Sequence, residues 1–271
     1  MLVTTEWLAS HLQDPNLVLL HVGDRKEFDE AHLPGARHLD RAAISATKAE
    51  GGLTLQLPPV AQLVEAFESL GVSGDSRIIL YFDKDRITQT TRAYFTLDYL
   101  GLGDRTSLLD GGMGAWIAAG HPVTREVGPA PARGRISPKP RPEIVADAEY
   151  VKANLAKPPV VVVDNRLPQF HDGREKGMMP RGGRIPGAKS LPFDSLVGSD
   201  DRLKEKGELR ELFTRAGVRE GASVVTYCHI GQQASLGYFA ARYLGYPARL
   251  YDGSFEEWSR RPELPVETGA K

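Results

Sequence analysis

The second half of this chain repeats the first, and the repeat leaves few folds open. Val160-Val161-Val162-Val163-Asp164 repeats Val18-Leu19-Leu20-His21-Val22. Arg184-Ile185-Pro186-Gly187-Ala188-Lys189 repeats His32-Leu33-Pro34-Gly35-Ala36-Arg37. Gly217-Val218 repeats Gly71-Val72, and from there Ile79-Leu80-Tyr81 falls on Val225-Thr226-Tyr227 without a gap. Tyr243-Leu244-Gly245 repeats Tyr99-Leu100-Gly101, and Asp252-Gly253-Ser254-Phe255-Glu256-Glu257-Trp258 repeats Asp110-Gly111-Gly112-Met113-Gly114-Ala115-Trp116. The order is the same in both halves, which marks a duplicated unit. Short apolar runs alternate with segments of helical spacing, so each unit is expected to be α/β: a mostly parallel sheet flanked by helices.

Local signals place the elements. Thr4 or Thr5 caps a first helix through His11, which Asp14-Pro15-Asn16 ends. Pro59 to Leu70 has helical spacing, with Leu63, Phe67 and Leu70 on one face and Gly71 as its stop. Thr90 to Leu100 and Ala234 to Leu244 read as helices stopped by Gly101 and Gly245. Between about Arg125 and Pro142 the chain changes character: Gly128-Pro129-Ala130-Pro131 and Pro138-Lys139-Pro140-Arg141-Pro142 resist helix and sheet interiors alike. This stretch reads as a semi-rigid linker. The expected organisation is a domain over 1–125, a linker over 126–142 and a second domain over 143–271.

The length of 271 residues suits two domains. A formal net charge of −1 gives no positive field to gather nucleic acid or an anionic membrane surface, so neither is expected as a partner. No run of about 18 apolar residues is present, and the first residues lack a basic stretch leading into an apolar core, so no secretory signal is read there; the cytoplasm is the expected location from the use of one cysteine. A single cysteine rules out an internal disulfide or a cysteine-rich zinc site. No metal or organic cofactor is called for.

That cysteine, Cys228, follows the β-branched run Val224-Val225-Thr226 and precedes a short loop and a helix. In the first half its place is taken by Phe82, so only one half holds a sulfur nucleophile; the other is expected to supply a wall of the cleft. Cysteine attacks as thiolate, which the unpaired N–H groups and dipole of a helix N-terminus favour. Gly231 lets the loop turn sharply, and the amides of His229, Ile230, Gly231, Gln232 and Gln233 form a cradle for an anion or a second sulfur. Reversible oxidation sensing benefits from a resolving cysteine, which is absent. Cysteine-dependent phosphate hydrolysis calls for an arginine where Ala234 stands. Sulfur transfer needs only a thiolate, an amide cradle and a polar rim.

In its repeated Pro-Gly-Ala turn, Val163-Asp164-Asn165-Arg166, the Cys228-to-Ala234 loop and Tyr251-Asp252-Gly253-Ser254, the chain resembles the tandem-domain rhodaneses, the thiosulfate and 3-mercaptopyruvate sulfurtransferases. The resemblance implies two tandem rhodanese-like domains, the second forming a persulfide on Cys228. A small anionic sulfur donor would supply the sulfur, and cyanide or a thiol would accept it. Thiosulfate enzymes of the family typically carry Cys-Arg-Lys-Gly in this loop, and mercaptopyruvate enzymes Cys-Gly-Ser-Gly. Here the loop is Cys228-His229-Ile230-Gly231. Ile230 stands at the helper serine's place and counts against mercaptopyruvate, while His229, with a pKa near neutrality, is expected to offer partial positive charge to thiosulfate.

The family's donor-binding arginine before an aromatic is replaced by Gln169 before Phe170. Arg181 is the first choice to take over that role. Arg166 either lines the cleft or pairs with Asp164. His32 stands where the family places a cleft-facing histidine; a structural hydrogen bond is the equal alternative. The expected activity is thiosulfate sulfurtransferase; the alternatives are a 3-mercaptopyruvate sulfurtransferase and, in another class, a non-catalytic persulfide carrier or redox-sensing module.

Overall fold

The computed structural model describes residues 1–48, 52–84 and 87–269. It divides into two compact units, one of Met1–Thr47, Leu57–Arg141 and Gly198–Leu203, the other of Lys48–Gln56, Pro142–Val197 and Lys204–Lys271.

The first unit contains β1 (Leu2–Val3), α1 (Thr5–His11), β2 (Leu17–Val22), α2 (Arg25–Glu30), β3 (Arg37–Leu39), α3 (Val60–Ser69), β4 (Arg77–Tyr81), α4 (Ile87–Tyr99), β5 (Thr106–Leu109) and α5 (Gly112–Ala118). Thr4 caps α1 by accepting the Trp7 N–H at 3.1 Å. The five strands form one parallel sheet in the order β1-β5-β4-β2-β3. Its side chains meet Leu8, Phe28, Met113 and Trp116 in an apolar core. Trp116 is fully buried and donates its ring N–H to the Pro122 carbonyl at 2.8 Å.

The second unit contains β6 (Val145–Ala146), α6 (Ala148–Ala153), β7 (Val160–Asp164), α7 (Pro168–His171), β8 (Lys189–Ser190), α8 (Lys206–Arg215), β9 (Ser223–Tyr227), α9 (Gln232–Tyr243), β10 (Ala248–Tyr251) and α10 (Ser254–Arg260). Its parallel sheet, ordered β6-β10-β9-β7-β8, reproduces the first. The repeat reaches single contacts. Tyr81 hydroxyl accepts the Leu33 N–H at 3.1 Å, and Tyr227 hydroxyl accepts that of Ile185 at 3.2 Å. Trp258 donates to the Pro265 carbonyl at 2.7 Å, as Trp116 does to Pro122. The α/β class and the duplicated parallel sheet agree with the sequence reading.

Three boundaries differ from it. The stretch 126–142, expected as a semi-rigid linker, runs along the first unit as far as Arg141. Its prolines lack N–H groups, but Gly134 donates to the Glu68 carbonyl at 2.8 Å, Lys139 to Leu100 at 3.0 Å and Arg141 to Tyr99 at 2.8 Å. Those carbonyls lie at the C-terminal ends of α3 and α4, where helices leave acceptors unfilled. Second, each half of the sequence gives a short segment to the other half's unit, residues 48–56 in one direction and 198–203 in the other. Third, α4 and α9 begin earlier than expected, at Ile87 and Gln232. For α9 the cause is Gly231, whose φ of +84° turns the chain directly into the helix.

Candidate active site around Cys228

Strand β9 is the central strand of its sheet, and Cys228 is the residue that leaves it. Open parallel sheets carry their ligand sites at such strand ends. The loop spans only His229, Ile230 and Gly231 before α9 begins at Gln232. Cys228 is free of any disulfide and 1% exposed.

Helix α10 sets the direction of the loop. The Phe255 N–H donates to the Cys228 carbonyl at 2.9 Å, and the Glu256 N–H to the His229 carbonyl at 2.9 Å. In a trans peptide the N–H points opposite to the C=O. The N–H groups of His229 and Ile230 are therefore turned away from α10. The amides of Gln232 and Gln233 belong to the first turn of α9, whose N–H groups have no acceptor within that helix. The Cys228 N–H has its own partner, Ser254 Oγ at 3.3 Å, and Ser254 in turn donates to the Tyr251 carbonyl at 2.9 Å.

The first unit keeps this scaffold without the thiol. There the Met113 N–H donates to the Phe82 carbonyl at 2.8 Å, matching Phe255 and Cys228. Gly112, the counterpart of Ser254, has φ +56°, while Ser254 holds φ +50°. The left-handed conformation is retained in the copy where the residue is not glycine.

Beneath the loop lies a charged cluster. Asp164, at the end of β7 and opposite Tyr227 in register, accepts Arg166 Nε at 2.9 Å on Oδ1 and Arg166 Nη2 at 2.6 Å on Oδ2. Tyr227 hydroxyl donates to Oδ2 at 2.8 Å, and His171 Nδ1 lies 3.0 Å from the same oxygen. Burial alone would raise the Asp164 carboxyl; the Arg166 guanidinium and His171 overcome it and hold the group well below the usual carboxylate range. Arg166 also donates to the Gly183 carbonyl at 2.7 Å and lies 4.1 Å above the Phe255 ring.

The candidate residues divide accordingly. Cys228, His229, Ile230, Gly231, Gln232 and Gln233 are brought together in one turn. Arg166 is 1% exposed and paired with Asp164, so it does not present a free fork to an anion. Arg181 is occupied by four main-chain carbonyls, those of Trp258, Ser259, Arg261 and Leu264, at 2.8 to 3.0 Å. Its guanidinium ties down the end of α10, which revises the expectation of an anion-binding arginine. His32 is fully buried in the first unit, with its ring nitrogens 2.7 Å from the Phe28 carbonyl and 3.2 Å from that of Glu126, and its ring stacked on Phe28. It fastens local backbone, as the hydrogen-bonding alternative has it, and not as the cleft-facing one does.

His229 also needs correcting. Its imidazole meets the Phe170 ring edge-on, with centroids 4.6 Å apart. Burial, reinforced by the nearby Arg166 charge and opposed by weaker effects of Asp164 and Gln233, lowers its pKa to about 4. It is neutral at pH 7 and brings no positive charge to the loop. Sequence spacing could not show this, because the penalty comes from packing. Sequence reasoning also passed over Ser254 and Glu256 as site residues, although both lie in the repeated Asp252-to-Trp258 segment.

Glu256 is buried and anchors the segment that the first half contributes to this unit. Its carboxylate accepts the Thr54 N–H at 2.7 Å and the Thr54 hydroxyl at 3.2 Å, with Lys48 Nζ at 3.6 Å. Gln56 donates to the Asp252 carbonyl at 2.9 Å. Among the described residues no cluster of histidine, cysteine and carboxylate groups could hold a metal ion, and no helix is long and apolar enough to cross a membrane.

Two copies of a five-stranded parallel α/β unit, with a thiol at the central strand end of only the second, define the class. Residues 4–119 and 147–261 each match the family model of the rhodanese-like domain. The chain belongs to the rhodanese family of sulfurtransferases. It is 32% identical to the sulfur carrier protein TtuD of Thermus thermophilus, over 99% of this chain and 97% of that protein. It is 32% identical to a thiosulfate sulfurtransferase of Azotobacter vinelandii, over 96% and 94% of the two chains. A probable 3-mercaptopyruvate sulfurtransferase of Pseudomonas aeruginosa is also 32% identical, over 99% and 98%. Among solved structures the fold is similar to that of YnjE, with a TM-score of 0.90 and 23% identity over 100% of this chain and 68% of that one. Wild-type EanB gives a TM-score of 0.89 and 24% identity over 100% and 69%.

Proposed function

We propose that the chain moves sulfane sulfur from thiosulfate to a thiol or cyanide through a persulfide on Cys228. The observation that carries this reading is the placement of the one thiol between the end of β9 and the first turn of α9, with the loop carbonyls drawn off by α10. In the first step the Cys228 thiolate attacks the outer sulfur of thiosulfate; the S–S bond of the donor breaks with its electron pair and sulfite departs. In the second, cyanide or a thiolate attacks the outer persulfide sulfur, a new bond to the acceptor forms, and the Cys228 thiolate is regenerated. The loop amides are suited to hold the persulfide anion, and the burial of Cys228 shields the added sulfur from water.

A second reading rests on His229. Its neutrality leaves the loop from Cys228 to Gln233 without a cationic side chain to greet a dianion. That favours a donor less charged than thiosulfate, such as a persulfide carried on another protein, and one relative at 32% identity is named as a sulfur carrier. Ile230, where mercaptopyruvate enzymes of the family typically have serine, supports neither small donor by its chemistry.

A donor panel separates the readings. With cyanide as acceptor, kcat/KM is measured for thiosulfate and for 3-mercaptopyruvate, alongside sulfur uptake from a protein-bound persulfide. The proposal predicts the highest kcat/KM for thiosulfate. Sulfur uptake only from the protein persulfide assigns the carrier role, and a mercaptopyruvate preference overturns the donor.

A further inference from the structure

The first unit has a cavity of about 450 Å³ at the edge of its sheet, beside β3. Its walls are Phe28 of α2, the Pro-Gly-Ala turn, Leu70 at the end of α3, and the extended segment 127–131. That segment is one wall of a built site, because the chain after it is fixed to α3 and α4 by the Gly134, Lys139 and Arg141 amides. The size falls within the range of small-molecule pockets.

The charge in this cavity is one-sided. Arg25, Arg37 and His38 line it, and no aspartate or glutamate does. The exposed Arg25 pairs with Asp29 at 2.8 Å on its own helix. The half-buried Arg37 donates to the Leu70 carbonyl at the C-terminus of α3 and has no carboxylate partner among the described residues. Burial pulls its guanidinium below the ordinary value, as a cation kept from water without a counter-charge behaves. The other lining groups are apolar side chains and backbone, among them Phe28, Leu70, Val127, Pro129 and Pro131.

The second unit supplies a comparison. Lys189 opens β8 in the same register as Arg37 opens β3, pairing with Val163 as Arg37 pairs with Leu20. It lines a cavity of about 400 Å³ at Pro186 and Gly187 that likewise contains no acidic residue. The repeat thus keeps a basic residue beside this turn in both copies, and the first copy adds the proline-rich wall and the guanidinium.

We infer that the first-unit cavity binds an organic monocarboxylate with an apolar body. The carboxylate meets the free edge of the Arg37 guanidinium, whose planar fork matches its two oxygens. The body packs against Phe28, Pro129 and Pro131. One available fork in apolar surroundings suits a single negative charge better than a dianion, since a second charge would be buried without a partner. This site is separate from the Cys228 loop and does not depend on the sulfur donor.

The test uses 4-methylpentanoate as probe, titrated into the full chain by calorimetry or ligand-observed NMR. Its neutral analogue 4-methylpentanamide and inorganic phosphate serve as comparisons. Saturable binding of the carboxylate is expected, at least fivefold tighter than the amide and not displaced by equimolar phosphate. Arg37→Gln is expected to weaken it at least fivefold. Ala130→Trp, a change at an exposed position of the wall, is expected to abolish it by filling the cavity while sulfur transfer is unchanged. Absence of binding to the wild-type chain, equal binding of acid and amide, or wild-type affinity in both variants would each overturn the inference.

Discussion

The Cys228 N–H donates to Ser254 Oγ, and Ser254 makes that bond from a left-handed backbone conformation, φ +50°. Its counterpart in the first unit is Gly112, for which φ +56° carries no steric penalty. A side chain in this region costs on the order of 1 kcal/mol. The unit with the thiol therefore tolerates strain that the unit without it avoids, and the hydroxyl that the serine adds is the group touching the cysteine. Together with the Phe255 and Glu256 amides it fixes three successive peptide groups, from Tyr227–Cys228 to His229–Ile230.

Replacing Ser254 separates the strain from the bond. Ser254→Ala keeps the strain and leaves the buried Cys228 N–H unpaired, so it is expected to lower stability by about 1–3 kcal/mol in urea unfolding. Ser254→Gly removes the strain and is expected to recover part of that loss. Both are expected to slow persulfide formation about tenfold, read as sulfur uptake against time. Wild-type rates in both variants would show that the hydroxyl does not position the loop.

The His229 imidazole titrates near pH 4 in the folded chain, against 6.5 for an ordinary histidine. Between those values the unfolded chain binds the extra proton and the folded chain does not, so stability is full above about pH 6.5 and falls as pH drops toward 4. At ~1.4 kcal/mol per pKa unit, reduced because the ring is only partly buried, the loss from pH 7 to 4.5 is about 1–2 kcal/mol. His229→Gln should lose less stability than wild type over that interval by this amount, measured by urea unfolding at both pH values. The same neutrality predicts that turnover between pH 5.5 and 8 carries no step from His229. An equal loss of stability from pH 7 to 4.5 in wild type and variant, or a turnover step between pH 5.5 and 8 that the variant lacks, would contradict the buried, neutral ring.

How far the sequence spoke for itself depended on the range of the interaction. The repeat matched β2 with β7, β4 with β9 and Phe82 with Cys228, because buried strands and glycine stops are local signals. Arg181 was misplaced because an exposed anion-binding arginine and one bonded to four carbonyls look alike in one dimension. The neutral state of His229 depends on Phe170 and Arg166, which reach it only through the fold. The exchange of residues 48–56 and 198–203 between units escaped for the same reason: the buried carboxylate of Glu256 lies some two hundred residues from Thr54, which it holds.

Asp164 is the balancing charge for Arg166 beneath the loop. Asp164→Asn leaves a buried guanidinium without its partner and is expected to cost about 3–5 kcal/mol. Because the Asp164 carboxyl is held below its ordinary 3.8, its contribution is complete above that pH and is lost as pH falls below it. Urea unfolding of wild type and variant should therefore differ most near neutrality and converge in acid. A difference under 1 kcal/mol at pH 7 would contradict the assignment.

Glu256 is expected to hold the Thr54 amide against exchange. Glu256→Ala leaves that N–H without its acceptor, at a cost of about 1–3 kcal/mol. Hydrogen exchange of the segment containing Thr54 should accelerate at least tenfold while exchange in β7 and β9 changes little. Unchanged protection at Thr54 would show that other contacts hold the segment.

The central claim is that sulfur travels on Cys228, and intact-mass measurement of the reduced protein after incubation with thiosulfate tests it most directly. The account predicts a gain of one sulfur atom on wild type, removed by cyanide, and no gain on Cys228→Ser. Turnover of thiosulfate without a sulfur adduct on wild type, or an adduct that persists in Cys228→Ser, would contradict it.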